Sequence, residues 1–383
     1  MGNILTPSIT EVYLCTPEGV RIECLDYITE FEYAKIANTP APFRLKLPSK
    51  FDRNKIKLDN IIEIWYGFGP STLKLVYCGF LRAWKFTDDA GVEYTELYGL
   101  SSMELLIRRI VKDYSGSSQA KMTDEADDMI KAIAKDQLGT DAAAGRDLTS
   151  VGGGFTIQSD LADGYSVTKA FADKKVLEIC QEIAGAGRQA SDTGEAIYFD
   201  IVPIVSSSVT GALAFQLQTF TGQRGNDRTW DSSQPVFVGP EWGNFQNGYM
   251  EFDYLDEVNY VYALGQGEGS VREVVTVADT TRSGMSIWNL REGAKDARQI
   301  DFGDTAGLTG EANTYLDENK PKFRFGGDIV ETPAFRYKRD WDFGDRVTAI
   351  YADIQKDAMI NKVLVSQNSN GQRTITAKLE IEE

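Results

Sequence analysis

The sequence predicts an α+β protein that is mostly β. Short strand-like segments separated by turn residues fill the first hundred residues, helical periodicity is confined to the middle, and strand patterns return from Ala196 onward. A chain of 383 residues is long enough for several domains. We therefore expect an N-terminal β domain of barrel or sandwich type at 1–112, a small α/β domain at 113–195, and a β-rich C-terminal region at 196–383.

The N-terminal region carries regular strand and turn signals. Residues 16–19 (TPEG) and 88–91 (DDAG) are turn sequences between apolar segments, which is typical of hairpins. Residues 43–47 alternate strictly between apolar and basic side chains and end at Pro48. The predicted strands are 12–15, 20–24, 43–47, 61–66, 73–87 and 92–98.

The middle region carries the helical signals. Residues 101–104 form a capping box for a short helix at 103–109, and apolar residues recur at helical spacing in 124–138 and in 173–185. Between these two helices, 139–165 is rich in Gly, Ala, Ser and Asp, with three consecutive glycines at 152–154. We predict a long flexible loop there.

The C-terminal region returns to strands. Asn370-Gly371 between two apolar segments is the strongest hairpin signal in the chain. A helix is also expected at 310–320. The predicted strands are 197–204, 212–220, 236–238, 251–264, 271–277, 346–351, 361–365 and 374–379.

Composition excludes several kinds of site. The chain contains no histidine, which rules out Ser-His-Asp and Cys-His catalysis and histidine-ligated zinc sites. The four cysteines, which are Cys15, Cys24, Cys78 and Cys180, lie among apolar neighbours and are expected in the core. A net charge of −17 opposes capture of nucleic acid, so if DNA meets this protein at all, we expect it to pass and not to be bound. No apolar segment is long enough to span a bilayer.

Motifs that suggest chemistry have simpler interpretations. Residues 265–269 (GQGEG) follow a strand but lead into another strand, so we predict a turn and not a nucleotide-binding loop. Residues 340–345 (DWDFGD) lack the spacing and the glutamate of a calcium loop and also indicate a turn. We predict no catalytic, cofactor or metal site, and we expect that the protein is not an enzyme.

Three aromatic residues are candidate contacts with a partner or a neighbouring subunit. Trp242 and Phe245, beside Glu241, resemble the acid and stacking rings of a sugar-binding cluster. Trp341 lies between two aspartates in a predicted turn, where an exposed ring would favour a contact. The alternative for Trp341 is a ring that caps the end of a barrel.

Several stretches occur in an order that resembles a known family. Near the N-terminus these are the strand 43–48 (FRLKLP) and 98–110 (YGLSSMELLIRRI). The C-terminal half matches better: 259–272 resembles an N-x5-G-x-G-E-G-x-x-R pattern, and 337–347 resembles Y-x-x-D-aromatic-x-x-G-D-x-V. Together they are similar to the siphophage tail-hub, or tail-tip attachment, proteins, which are also described as minor tail or baseplate hub proteins.

This resemblance implies a fold of two β-barrel-like domains joined by smaller α/β units, with the second barrel within 196–383. It implies a homotrimeric ring at the distal end of a bacteriophage tail that joins the hexameric tail tube to the tip or baseplate and lets DNA leave. The implied partners are further copies of the chain, the distal tail or tube protein, the tape-measure protein and tip or fibre proteins. The protein would be assembled in the host cytoplasm and reside in the virion.

Two alternatives remain open. One is a tail-associated carbohydrate-binding or glycan-hydrolysing tip protein, which would require paired carboxylates in a cleft. The other is an unrelated multi-barrel bacterial protein, such as a secretion-system hub.

Overall fold

The computed structural model describes residues 8–112, 120–171, 173–190, 196–205 and 213–382. These residues form two compact units. The first contains the described residues up to Asn247 together with Gly327–Leu379, and the second contains Gly248–Gly326 with the last residues of the chain. The predicted boundaries at 112 and 195 both fall inside the first unit, so the division into three regions stays a prediction.

The first unit begins with seven strands. They are β1 Ile9–Cys15, β2 Arg21–Cys24, β3 Glu30–Ile36, β4 Pro42–Pro48, β5 Ile61–Gly67, β6 Lys74–Asp89 and β7 Val92–Ser101. In β4 the apolar Phe43, Leu45 and Leu47 are buried, whereas the alternating Arg44 and Lys46 form salt bridges with carboxylates of neighbouring strands. Period-two alternation therefore places one face of the sheet in the core.

The α/β part follows. Its elements are α1 Glu104–Ile107, β8 Ala120–Glu125, α2 Ala126–Leu138, β9 Phe155–Ile157, β10 Ser166–Phe171, α3 Val176–Ala190, β11 Ile197–Ile204 and β12 Ala214–Thr221. Helices α2 and α3 present their apolar faces to a core that also contains Cys15, Phe80 and Leu106 from the N-terminal region. Strands β10 and β8 form one small sheet, and β11, β12 and β9 form another.

The rest of the chain leaves the first unit and returns to it. Strands β13 Asp227–Arg228 and β14 Phe237–Val238 precede β15 Phe245–Asp253, along which the chain enters the second unit. There follow β16 Tyr260–Leu264, β17 Val274–Ala278, α4 Thr280–Ser283, β18 Glu292–Asp296 and α5 Thr305–Glu318. The chain returns along β19 Lys322–Val330 and ends with β20 Arg346–Tyr351, β21 Ile354–Gln367 and β22 Arg373–Glu382.

One long sheet joins the two ends of the chain. Its order is β2-β1-β5-β6-β7-β4-β3-β21-β22-β19-β15, and β20 pairs with β21 as well as with β13 and β14. The junction is the antiparallel pair β3 and β21, in which Lys35 lies opposite Val363. The mostly β fold class is confirmed, but within the described residues the strands do not close into barrels.

The second unit has its own small core. Strand β16 lies between β17, which is antiparallel to it, and β18, which is parallel. Helix α5 packs its apolar residues Leu308, Ala312 and Leu316 against Val261 and Ala263 of β16. Because a parallel neighbour requires a crossover, β18 reaches its place through α4 and the loop after it.

The structure corrects several expectations. The single strand predicted at 251–264 is two strands, β15 and β16, separated by a turn at 254–257. Seven of the described strands had no counterpart in the prediction: β3, β8, β9, β10, β13, β18 and β19. Of these, β9 occupies only three residues of the predicted 139–165 loop. Cys24 is exposed, whereas the other three cysteines are buried. The predicted strand start at Ala212 lies outside the described residues. None of the described helices is long and apolar enough to cross a membrane.

Candidate subunit-contact surfaces

Three aromatic rings form an exposed surface on the first unit, which we call the aromatic platform: Trp230, Phe237 and Trp242. The Trp230 and Phe237 rings meet edge to face with centroids 5.0 Å apart, and the Phe237 and Trp242 rings stack at 5.8 Å. Trp230 is 57% exposed and Trp242 is 46% exposed. Exposed clusters of large aromatic rings are typical of contact surfaces.

Buried polar groups fix the platform from below. Asn244 accepts a hydrogen bond from the Gly239 amide at 3.0 Å and donates one to the Phe237 carbonyl at 2.9 Å. The Trp230 amide donates to the Thr348 hydroxyl at 2.8 Å. A Cβ at Gly239 would lie 2.7 Å from both the Ile350 carbonyl oxygen and the Trp242 ring, so only glycine lets this ring lie against the backbone.

A second exposed surface is the loop 285–290 of the second unit, which we call the apolar loop. Its side chains Met285, Ile287, Trp288 and Leu290 are all exposed, with Ile287 at 91% and Trp288 at 86%. The sequence from Gly284 to Leu290 contains no charged residue. Isolated exposed apolar residues are ordinary, but four on one short loop are typical of a contact surface.

The base of the apolar loop is a buried polar clamp. Asn259 donates a hydrogen bond to the Asn289 carbonyl at 2.7 Å and accepts one from the Arg291 amide at 2.9 Å. The Asn289 side chain in turn donates to Glu257 at 3.1 Å and to the Arg282 carbonyl at 3.0 Å. Because Glu257 and Asn259 are buried, the loop is held at its base while its apolar tip faces solvent.

The structure separates the three aromatic residues that the sequence marked. Trp242 is exposed on the platform. Phe245 is 5% exposed and packs edge to face on Tyr351, and Trp341 is 1% exposed. A direct contact through Trp341 or Phe245 requires an exposed ring, and neither ring is exposed in the single chain. The barrel end that the alternative for Trp341 requires is not formed by the described strands.

The segment 337–347 owes its pattern to packing. Trp341 stacks on Phe335 with centroids 5.9 Å apart and packs against Tyr337 at 5.1 Å. The buried Asp345 accepts hydrogen bonds from the Asn226 amide at 2.8 Å and from the Arg228 guanidinium at 2.8 Å. Burial raises the pKa of Asp345, although these two donors oppose the shift. Residues 340–345 form the predicted turn, and the Asp345 carboxylate connects this turn to β13.

The glycine-rich segment after β16 is also structural. Gly267 and Gly269 have φ values of +95° and +58°, which glycine adopts most readily, and the segment connects two antiparallel strands. Arg272 donates to the Gly265 carbonyl at 3.3 Å. The predicted turn is confirmed. Within the described residues no group of three or more acidic or cysteine side chains could hold a metal ion.

Comparison with solved structures gives the class of protein to which this fold belongs. A tail protein from Neisseria meningitidis MC58 superposes with a TM-score of 0.53 at 12% identity, covering 97% of this chain and 96% of that one. The 43 kDa tail protein of prophage MuSo2 from Shewanella oneidensis gives 0.54 at 11% identity, covering 96% and 97%. A chain of the Francisella PdpA-VgrG complex gives 0.50 at 10% identity, covering all of this chain and 59% of that one.

These likenesses show the fold, which is that of phage tail hub-like proteins. No curated protein matches the sequence. The family model described as siphovirus ReqiPepy6 Gp37-like protein matches residues 11–379, and the chain belongs to that family. The resemblance to siphophage tail proteins is thereby confirmed, and the protein is a bacteriophage tail component.

Proposed function

We propose that three copies of this chain form a ring-shaped hub at the distal end of the tail, joining the tail tube to the tip or baseplate. The observation that carries the proposal is the single sheet in which β3 pairs with β21. Each chain thus supplies an N-terminal and a C-terminal group of strands to one continuous wall. Three such chains would offer six groups of strands to a hexameric tube.

The acidic composition supports passage of DNA through such a ring. Each copy has a net charge of −17. A lumen lined by acidic side chains repels phosphates, so DNA would slide through it without being bound. The proposed role is one of shape and contact, and it requires no catalytic residue.

The apolar loop is the contact that we assign to the neighbouring copy. Acidic chains repel one another, so a contact between copies is favoured where charge is absent, and the loop carries none from Gly284 to Leu290. Burying Ile287 and Trp288 would contribute about 1.5–3 kcal/mol each. A ring of three closes by such heterologous contacts, in which the loop of each copy meets a different surface of the next.

The aromatic platform is the contact that we assign to another tail protein, with the tube, tape-measure and tip or fibre proteins as candidates. Trp242 would make the contact directly. Phe245 and Trp341 would act only by supporting their surroundings from within, since both are buried in the single chain.

The solution mass tests the proposal. Light scattering over a concentration series should give a mass near three times 42.5 kDa. A mass of one chain at every concentration, both alone and with the purified tube protein added, would contradict the ring.

A second candidate function, carbohydrate binding at the tail tip, is favoured by the exposed rings of Trp230 and Trp242 with Glu241 beside them. Tryptophan fluorescence during titration with cell-wall glycan fragments measures it. Binding by the wild-type chain that is lost in Trp242→Ala would support this function, and an unchanged emission spectrum would exclude it for the fragments used.

A further inference from the structure

A cavity of about 240 Å³ lies within the first unit, between β3, β11 and the segment 338–343. A water molecule occupies about 30 Å³ in the liquid, so the cavity has room for a small ligand with water around it. Five charged side chains line it: Lys35, Arg224, Lys338, Asp200 and Asp342. Cations outnumber carboxylates by one.

Two of the three cations have carboxylate partners. Arg224 pairs with Asp200, and Lys338 pairs with Asp342 at 2.5 Å. The Lys35 ammonium has neither a hydrogen bond nor an ion pair with any described residue. Its ammonium instead lies 5.0 Å from the centroid of the Phe343 ring, which the Arg224 guanidinium also contacts at 4.8 Å.

Arg224 also has an unused donor. Its Nε–H is buried and has no hydrogen-bond partner, although the guanidinium pairs with Asp200 through Nη2. Buried donors are satisfied in the great majority of cases, by protein, water or ligand. The Lys35 ammonium and the Arg224 Nε–H, which belong to two side chains that line one cavity, thus lack an acceptor.

The electrostatics of Lys35 favour an anion beside its ammonium. The pKa of Lys35 is lowered to about 7, first by burial and then by the neighbouring Lys338 and Arg224, and Asp342 and Asp200 only partly oppose this shift. An ammonium loses water on burial and is stabilised by a negative charge nearby. A bound anion would restore the charged form.

We propose that this cavity binds a small free oxyanion of single negative charge, of the carboxylate class, between the Lys35 ammonium and the Arg224 Nε–H. One negative charge balances the one excess cation. A dianion would leave the cavity with a net negative charge and would be repelled by the Asp200 and Asp342 carboxylates. Charge-assisted hydrogen bonds from ammonium and guanidinium groups are the usual means of holding a carboxylate.

Sodium acetate is the probe, and protein labelled with ¹³C at the lysine Cε is the reporter. The Lys35 signal is assigned by its loss in Lys35→Met. In sodium chloride the signal should titrate near pH 7, and in acetate at equal ionic strength the midpoint should rise by one pH unit or more. By linkage, a rise of one pH unit corresponds to acetate binding that is roughly tenfold weaker at pH 9 than at pH 6.

Lys35→Arg is the matched control because it keeps the charge at every pH. This variant should bind acetate equally at pH 6 and pH 9, while Lys35→Met should lose binding at both. An identical Lys35 midpoint in acetate and chloride would overturn the proposal, as would full acetate affinity in Lys35→Met. Loss of acetate binding at concentrations where the chain assembles would also overturn it, since a carboxylate of a neighbouring copy would then occupy the cavity.

Discussion

At the scale of single residues, the buried salt bridges of α2 show how charge can fix a loop. Lys131 is buried and donates to Asp127 at 3.1 Å and to Asp128 at 2.7 Å. Asp128 also accepts the amides of Leu161 and Ala162. The end of the 139–165 segment is therefore held on the helix by carboxylates that Lys131 neutralises.

We predict that Lys131→Met destabilises the fold by about 3–5 kcal/mol, because the variant leaves two buried carboxylates without a cation. Urea unfolding measures this. The control is Lys135→Met on the same helix, whose salt bridge with Asp141 is exposed and whose loss should leave the midpoint unchanged. Equal midpoints for the two variants would show that the buried cluster is not what stabilises this region.

The pKa of Asp128 makes the stability of the fold depend on pH. Burial acts to raise this pKa, but hydrogen bonds from Lys131 and from the Leu161 and Ala162 amides outweigh burial and hold it below the ordinary value. A carboxyl with a lowered folded-state pKa stabilises the fold above its unfolded pKa, and this stabilisation is lost as the pH falls through the folded value.

The wild-type chain should accordingly lose stability below about pH 4, where an unfolded aspartate takes up its proton. Asp128→Asn should be less stable than the wild type at pH 7 and should show a smaller loss on acidification. Thermal unfolding at pH 7 and pH 3.5 compares them. Parallel losses in the two proteins would rule out a contribution from Asp128.

At the scale of elements, local signals predicted hairpins well and long-range pairing poorly. The turns at 16–19, 88–91 and 370–371 each join the antiparallel strands that their turn chemistry indicates. Strand β3 was missed although its residues 30–33 alternate between acidic and aromatic side chains, a pattern that predicts a strand. Its pairing with β21, more than 300 residues away, leaves no local trace.

The surface residues show the same difference between local sequence signals and contacts that only the fold creates. Trp242 could be marked because an acid and aromatic rings are adjacent to it in sequence. Trp341 was interpreted as an exposed contact residue because flanking aspartates suggest a turn, yet Phe335 and Tyr337 pack against its ring. The cavity around Lys35 could not be foreseen, since Arg224 and Lys338 reach it only through the fold.

The clamp of the apolar loop gives a prediction about one element. Asn259→Ala removes the hydrogen bond that Asn259 donates to the Asn289 carbonyl and the one that it accepts from the Arg291 amide. Buried polar groups are left unpaired, which should cost about 1–3 kcal/mol. Hydrogen exchange of 284–291 should accelerate in this variant. Asn54→Ala, which removes an exposed asparagine, is the control. Unchanged exchange in Asn259→Ala would show that the clamp does not order the loop.

At the scale of the whole molecule, the chain combines one continuous sheet with surfaces that a single copy leaves exposed to water. The sheet unites the two ends of the chain in the first unit, and the apolar loop extends from the second unit. The negative charge of each copy opposes association, and burial of the apolar loop against another chain favours it. The fold, the charge and the exposed apolar loop are therefore those expected of a protein whose apolar surface is buried in an assembly.

The last prediction tests that inference with paired substitutions. Replacing Ile287 and Trp288 together by serine should shift the mass from three chains to one at concentrations where the wild type assembles, because about 3–6 kcal/mol of burial is lost from each contact. Phe302→Ser is the control: Phe302 is also a strongly exposed apolar residue of the second unit, but it lies outside the loop. Circular dichroism should show all three proteins folded. If the double variant and Phe302→Ser both assemble like the wild type, the apolar loop does not hold the copies together, and the platform becomes the next surface to substitute.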